Sequence, residues 1–232
     1  VSESTRRWLA WGIHLFTASG ALVGILALLA IERGDLQRAA LLMLLAMAID
    51  SLDGSMARAV GVARLLPRFD GRRLDDIVDY LNYVVVPCVF LVAGGLVPHW
   101  AAVAPPILAS AYGFSQVDAK TEDDFFLGFP SYWNVIAIYA WLLEPDPATT
   151  AAIVAGFSAL VFVPFRYVYP SKLRVLRRTT YALTAAAAVA ITWAVLAPER
   201  ARALRVPEVM LLYPAWYFGL SFWLGGLRRR RA

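Results

Sequence analysis

From Trp8 to Ile31 the chain carries no charged side chain, and comparable apolar runs recur down its whole length. A water-soluble core cannot bury so many such runs, whereas the hydrocarbon interior of a bilayer requires them, at about 20 helical residues per crossing. The composition agrees: 60% of the 232 residues are hydrophobic, 17% are charged, and the mean hydropathy is +0.60. The class expected is therefore all-α, a polytopic membrane helix bundle of about eight transmembrane helices. The spans fall near 8–31, 36–60, 74–96, 100–114, 129–143, 148–165, 181–196 and 206–224. The fourth and fifth are short, and Pro105 and Pro106 make the fourth the hardest to bound.

Charge provides a second line of argument. With eight alternating spans and a cytoplasmic N-terminus, only Arg33, Arg38, Arg200, Arg202 and Arg205 of the 22 Lys and Arg residues fall outside. That is the bias of the positive-inside rule, and it places both termini in the cytoplasm. The first apolar run is span-length with no small-residue cleavage pattern after it, so it is expected to remain as a resident helix. One domain, 1–232, is expected, without repeats or a linker. Cys88, the lone cysteine, lies within the third span and reads as core packing. The net charge of +5 comes largely from basic loops and the arginines at 228–231, which suit anionic headgroups; no nucleic-acid partner is implied.

Against this background four carboxylates stand out. Asp50, Asp53, Asp75 and Asp79 sit at the loop ends of the second and third spans, in the pattern D-x-x-D-G-x-x-A-R followed by G-x-x-x-D-x-x-x-D. At about 100° per residue, Asp50, Asp53, Gly54 and Ala57 share one helical stripe with Arg58 beside it, and Asp75 and Asp79 share a face of the next helix. An ionised Asp at mid-membrane costs about 2.5–3.5 kcal/mol, so four unpaired acids would cost on the order of 10. One or two Mg²⁺ or Mn²⁺ ions would offset that and leave positions for substrate phosphate oxygens. Gly54 and Ala57 would let a bulky group approach the helix, and Arg58 can bind phosphate bidentately. A transporter would instead place its acids mid-span in repeated halves, and a scaffold would need no acids at all. His14 and His99 are expected to stand apart from the acids, as structural or interfacial residues.

The set Asp50, Asp53, Gly54, Ala57, Arg58, Gly71, Asp75 and Asp79 resembles the signature of the CDP-alcohol phosphotransferases, membrane enzymes that join an alcohol to a phosphoryl or phosphatidyl group carried on CDP. The spacer between Arg58 and Gly71 is longer than in the commoner form and is similar to that of the bacterial branch that joins choline directly to CDP-diacylglycerol. A second stretch, Lys120 and Thr121, then Phe125, Phe126 and Gly128 through Asn134, resembles the same branch. The resemblance implies an enzyme of the bacterial inner membrane that releases CMP. It implies Asp50, Asp53 and Asp75 as ligands of two Mn²⁺ or Mg²⁺ ions, and Asp79 as both ligand and general base. Gly54, Ala57 and Gly71 would face the cytidine, and Arg58 would contact phosphate or brace an aspartate. A homodimer is implied by many members of the family. The alternative acceptor within the family is serine or glycerol phosphate.

A quaternary ammonium donates no hydrogen bond, so a choline pocket needs aromatic faces with carboxylates nearby. Glu122, Asp123, Phe126, Tyr132 and Trp133 offer both, and Tyr80 and Tyr83 lie within about a turn of Asp79. The plainer reading of these rings is an interfacial aromatic belt. Arg166 and Lys172 either signal topology or bind the lipid-linked diphosphate.

Overall fold

The computed structural model describes residues 2–116, 125–169 and 175–226. Glu122, Asp123 and Lys172, together with Lys120, Thr121 and the arginines at 228–231, lie outside the described residues. Helix α1 (Glu3–Glu32) starts at Ser2, whose hydroxyl oxygen accepts the Thr5 N–H. Its faces are inverted relative to a soluble helix: Leu15 and Leu22 are 73% and 68% exposed, while His14, Thr17, Gly20 and Gly24 point inward. Lipid is as apolar as leucine, so the side that pairs with protein is selected for small and polar residues. The return helix, α2 (Leu36–Val60), is capped by Asp35 accepting the Arg38 N–H at 3.0 Å, packs along α1, and ends at Gly61 in the left-handed region.

After the short α3 (Val62–Leu65), a continuous helix spans Gly71–Ala93. It comprises α4 (Gly71–Asp79), a π-helical stretch Tyr80–Val85, and α5 (Val86–Ala93). Pro87 has no N–H to offer the Tyr83 carbonyl in α-helical register. The chain widens there, and Val86 N–H bonds to Leu81 O instead. Gly20 and Gly24 bring α1 against this helix. A Cβ at Gly24 would lie 2.6 Å from Asn82 Oδ1, and Asn82 Nδ2 donates to the Gly20 carbonyl at 3.0 Å.

A 3₁₀ turn (Trp100–Val103) leads into α6 (Ala104–Phe114), followed by strand β1 (Phe125–Leu127), α7 (Trp133–Leu143) and α8 (Pro147–Val161). Strand β2 (Arg166–Val168) pairs antiparallel with β1, Phe126 opposite Tyr167. The remaining elements are α9 (Arg177–Leu196), α10 (Pro198–Ala203), α11 (Val206–Met210) and α12 (Leu212–Leu224). Trp133, Phe90, Leu91, Ile138 and Leu142 are fully buried in one core to which α1, α2, α5, α7, α8 and α9 all contribute, and Cys88 is buried there as a free cysteine.

The all-α membrane class is borne out, but the count of eight spans is not met by helix length. Among the described residues, α1, α2, the Gly71–Ala93 helix and α9 are long and apolar enough to cross a membrane. At 1.5 Å per residue α7 and α8 reach only roughly 16 and 22 Å, short of a core of about 30 Å. Prolines stand in the first turn of α6, α8, α10 and α11, where they are tolerated, and α8, α10 and α11 begin at them rather than continuing a preceding helix.

Candidate metal centre

The C-terminal half of α2 and the N-terminal turns of α4 lie at the end of the bundle that carries α3. One carboxylate oxygen from each of Asp50, Asp75 and Asp79 lies within 4.8 Å of the others, and all three side chains are half-buried. Three ionised carboxylates so close in a partly dry site repel one another, and an all-oxygen donor set of this spacing could hold a hard divalent cation. The crevice between them has a volume of about 10 Å³, room for one water-sized body, and Thr17, Ile49, Val78, Asn82 and Tyr83 also line it. Asp70 orients the second pair of acids by capping α4, accepting the N–H groups of Arg72 and Arg73 at 3.1 Å. Asp70→Ala is expected to cost about 0.5–2 kcal/mol, seen as a lower melting temperature in detergent with partial loss of activity.

Asp53, expected to share a face with Asp50, lines the same crevice without joining the three converging oxygens. It is only 5% exposed and lies in the crevice with Thr17 of α1, whose hydroxyl donates to the Ile13 carbonyl, and Arg58 is close enough to interact electrostatically. The physical reason is angular. Three residues of α-helix rotate a side chain by about 300°, leaving Asp53 about 60° off Asp50 and turned toward α1.

The small residues of the motif divide between two roles. A Cβ at Gly54 would meet only the Arg58 guanidinium, 3.2 Å away, so that face of α2 is open. Arg58 is exposed and donates to Ser55 Oγ at 3.1 Å. Ala57 packs on the Ala10, Ile13 and Val62 cluster. Gly71 seats the imidazole of His14, whose Cε1 would be 2.7 Å from an added Cβ. His14 therefore does not stand apart from the motif, because α1 crosses the start of α4. Its ring also packs on Phe69, and its Nε2 is buried with no hydrogen-bond partner among the described residues. On sequence alone, His14 is set apart from the acids and Thr17 is not singled out. Their polar spacing on an otherwise apolar membrane helix is the signal that marks them.

The aromatic candidates spread widely. Tyr83 donates its hydroxyl to Asp50 Oδ2 at 2.7 Å, and its ring lies 6.3 Å from that of Tyr132, which in turn lies 6.4 Å from Tyr217 of α12. Tyr217 was not anticipated; nothing near it in the chain marks it. Tyr80 donates to the Ile107 carbonyl and packs on Phe114. Phe126 stacks on Tyr169 at 4.5 Å in the β1–β2 layer. Trp133, proposed for the same pocket, is instead a core residue, fully buried with Nε1 donating to Ser110 Oγ at 2.7 Å. Arg166 sits on β2 with its guanidinium 4.3 Å from the centre of the Phe125 ring, and its backbone N–H donates to the Gly226 carbonyl.

The fold and the acid cluster thus define a multi-pass α-helical membrane protein with a site able to hold a divalent ion. No family model matches the chain. A phosphatidylcholine synthase of Borreliella burgdorferi is 35% identical over 227 residues, covering 96% of this chain and 97% of its own length. One from Legionella pneumophila is 44% identical over 171 residues, 71% of this chain and 66% of that protein. One from Pseudomonas aeruginosa is 38% identical over 168 residues, 71% of each. The chain belongs to the phosphatidylcholine synthase family.

Proposed function

We propose that this chain condenses choline with CDP-diacylglycerol, giving phosphatidylcholine and CMP, at the acidic crevice between α2 and α4. The observation that carries the reading is the convergence of Asp50, Asp75 and Asp79 within 4.8 Å, in a chain whose relatives bear the name phosphatidylcholine synthase. Two Mn²⁺ or Mg²⁺ ions held by Asp50, Asp53, Asp75 and Asp79 would neutralise the diphosphate and the charge that develops on the departing CMP. The open face at Gly54 admits the cytidine, and Arg58 pairs with a phosphate.

Asp79 takes the proton of the choline hydroxyl as that oxygen bonds to the phosphorus carrying diacylglycerol. The bond from this phosphorus to the bridging oxygen breaks, its electron pair leaves with CMP, and Asp79 returns the proton to solvent. Faces of Tyr80, Tyr132 and Phe126, with Glu122 and Asp123, receive the trimethylammonium group, while Tyr83 is engaged with Asp50. Arg166 and Lys172 meet the lipid phosphate. The same reading places the protein in the bacterial inner membrane with both termini cytoplasmic, and takes the homodimer of many family members as its assembly.

The test uses purified protein in detergent with CDP-diacylglycerol, Mn²⁺ and one alcohol at a time. CMP should appear with choline, vanish with a chelator, and return with added Mn²⁺ or Mg²⁺. CMP release with serine or glycerol phosphate but not choline would reassign the acceptor, and release unaffected by chelation would remove the ions.

A further inference from the structure

Tyr83 lies on the π-helical turn just beyond Asp79, 9% exposed, and its hydroxyl is 2.7 Å from Asp50 Oδ2. That contact spans two helices and binds a ring to a carboxylate, so a choline-facing aromatic does not account for it. An Asp carboxylate rotates over a broad range about its last torsion, and repulsion from Asp75 and Asp79 would turn Asp50 away from them. A donor fixed on one oxygen restrains that rotation and holds the carboxylate toward the cluster. Lysine or arginine in this place would bring a positive charge and compete with a cation. A phenol fixes the carboxylate and adds none.

The scaffold holds the donor rigidly. Asn82, the preceding residue, is tied to α1 through the Gly20 carbonyl and to its own helix through the Val78 carbonyl. The widened turn ahead of Pro87 sets the rotation of the segment. We propose that Tyr83 is a positioning residue for the ion site: its hydroxyl orients Asp50 as a ligand, and so governs affinity for the divalent cation rather than for choline. This rests on the ion-dependent reading above. Ligand-orienting hydrogen bonds of this kind are typically worth 10–100-fold in metal affinity.

The experiment titrates Mn²⁺ alone into purified protein in detergent and follows free Mn²⁺ by electron paramagnetic resonance. Tyr83→Phe keeps the ring and its packing, and the melting temperature of each variant checks the fold. The expected result is Mn²⁺ binding weakened roughly tenfold or more, with choline KM at saturating Mn²⁺ unchanged. Adding Tyr83→Phe to Asp50→Asn should weaken Mn²⁺ binding no further, because the hydroxyl acts through that carboxylate. Wild-type Mn²⁺ affinity in Tyr83→Phe, a raised choline KM without a change in Mn²⁺ affinity, or additive losses in the double variant would each overturn the proposal. Wild-type protein that binds no Mn²⁺ would instead remove the ion-dependent reading itself, and this inference with it.

Discussion

Asp79→Asn is expected to lower CMP release with choline by about 10²–10⁴-fold, the usual share of a general base, and further if an ion is lost as well. Asn matches Asp in shape but can neither take the choline proton nor give an anionic oxygen to a cation. The fold should survive. Asp79 belongs to a cluster of three acids within 4.8 Å, and removing one charge relieves repulsion there. A melting temperature at or above that of the parent, together with absent CMP release, is the outcome that fits. An active Asn variant would take the base role away from Asp79. An unperturbed aspartate is a weak base, so proximity to the hydroxyl must supply much of the rate, and no residue farther off could substitute.

The second large effect is structural. Gly128 sits at φ +83°, where an L side chain is strained, and a Cβ there would strike the carbonyl oxygen of Val161 at the end of α8. Its N–H donates to Phe165 at 2.9 Å and the next N–H donates to Leu160, so the segment before Tyr132 is moulded onto α8 by its backbone. Gly128→Ala pays about 1–2 kcal/mol for the left-handed conformation alone, and the backbone collision adds to that. A markedly lower melting temperature is expected, with loss of choline transfer because Tyr132 moves with the loop. A variant that melts like the parent would show that the loop can shift without harm.

The long spans were legible in the sequence because nothing but apolar length defines them. The run at 36–60 became α2 at the same bounds, and the runs near 8–31, 74–96 and 181–196 became Glu3–Glu32, Gly71–Ala93 and Arg177–Leu196. The grouping of Asp50 with Asp75 and Asp79 was legible for a related reason: acids at helical spacing on adjacent membrane helices have few ways to be satisfied apart. The shorter runs near 100–114, 129–143, 148–165 and 206–224 also fall on helices, namely the 3₁₀ turn with α6, α7, α8, and α11 with α12; what hydropathy alone does not mark is where these segments break and restart. The β1–β2 pair escaped because each strand has three residues, too few for a period of two to show. The Gly71 seat for His14 and the place of Thr17 in the crevice with Asp53 depend on where α1 crosses α2 and α4. Spacing within one helix carries no information about that crossing.

The place of Thr17 in that crevice also bears on how the protein is made. Asp53 is the most deeply enclosed of the four acids, and α1, which precedes it in the chain, lines the same crevice with the polar Thr17. When α2 enters the bilayer during synthesis, a companion for its costliest residue is already in place, and a transient pairing of the two hairpin arms can shelter that acid before any ion or later segment arrives.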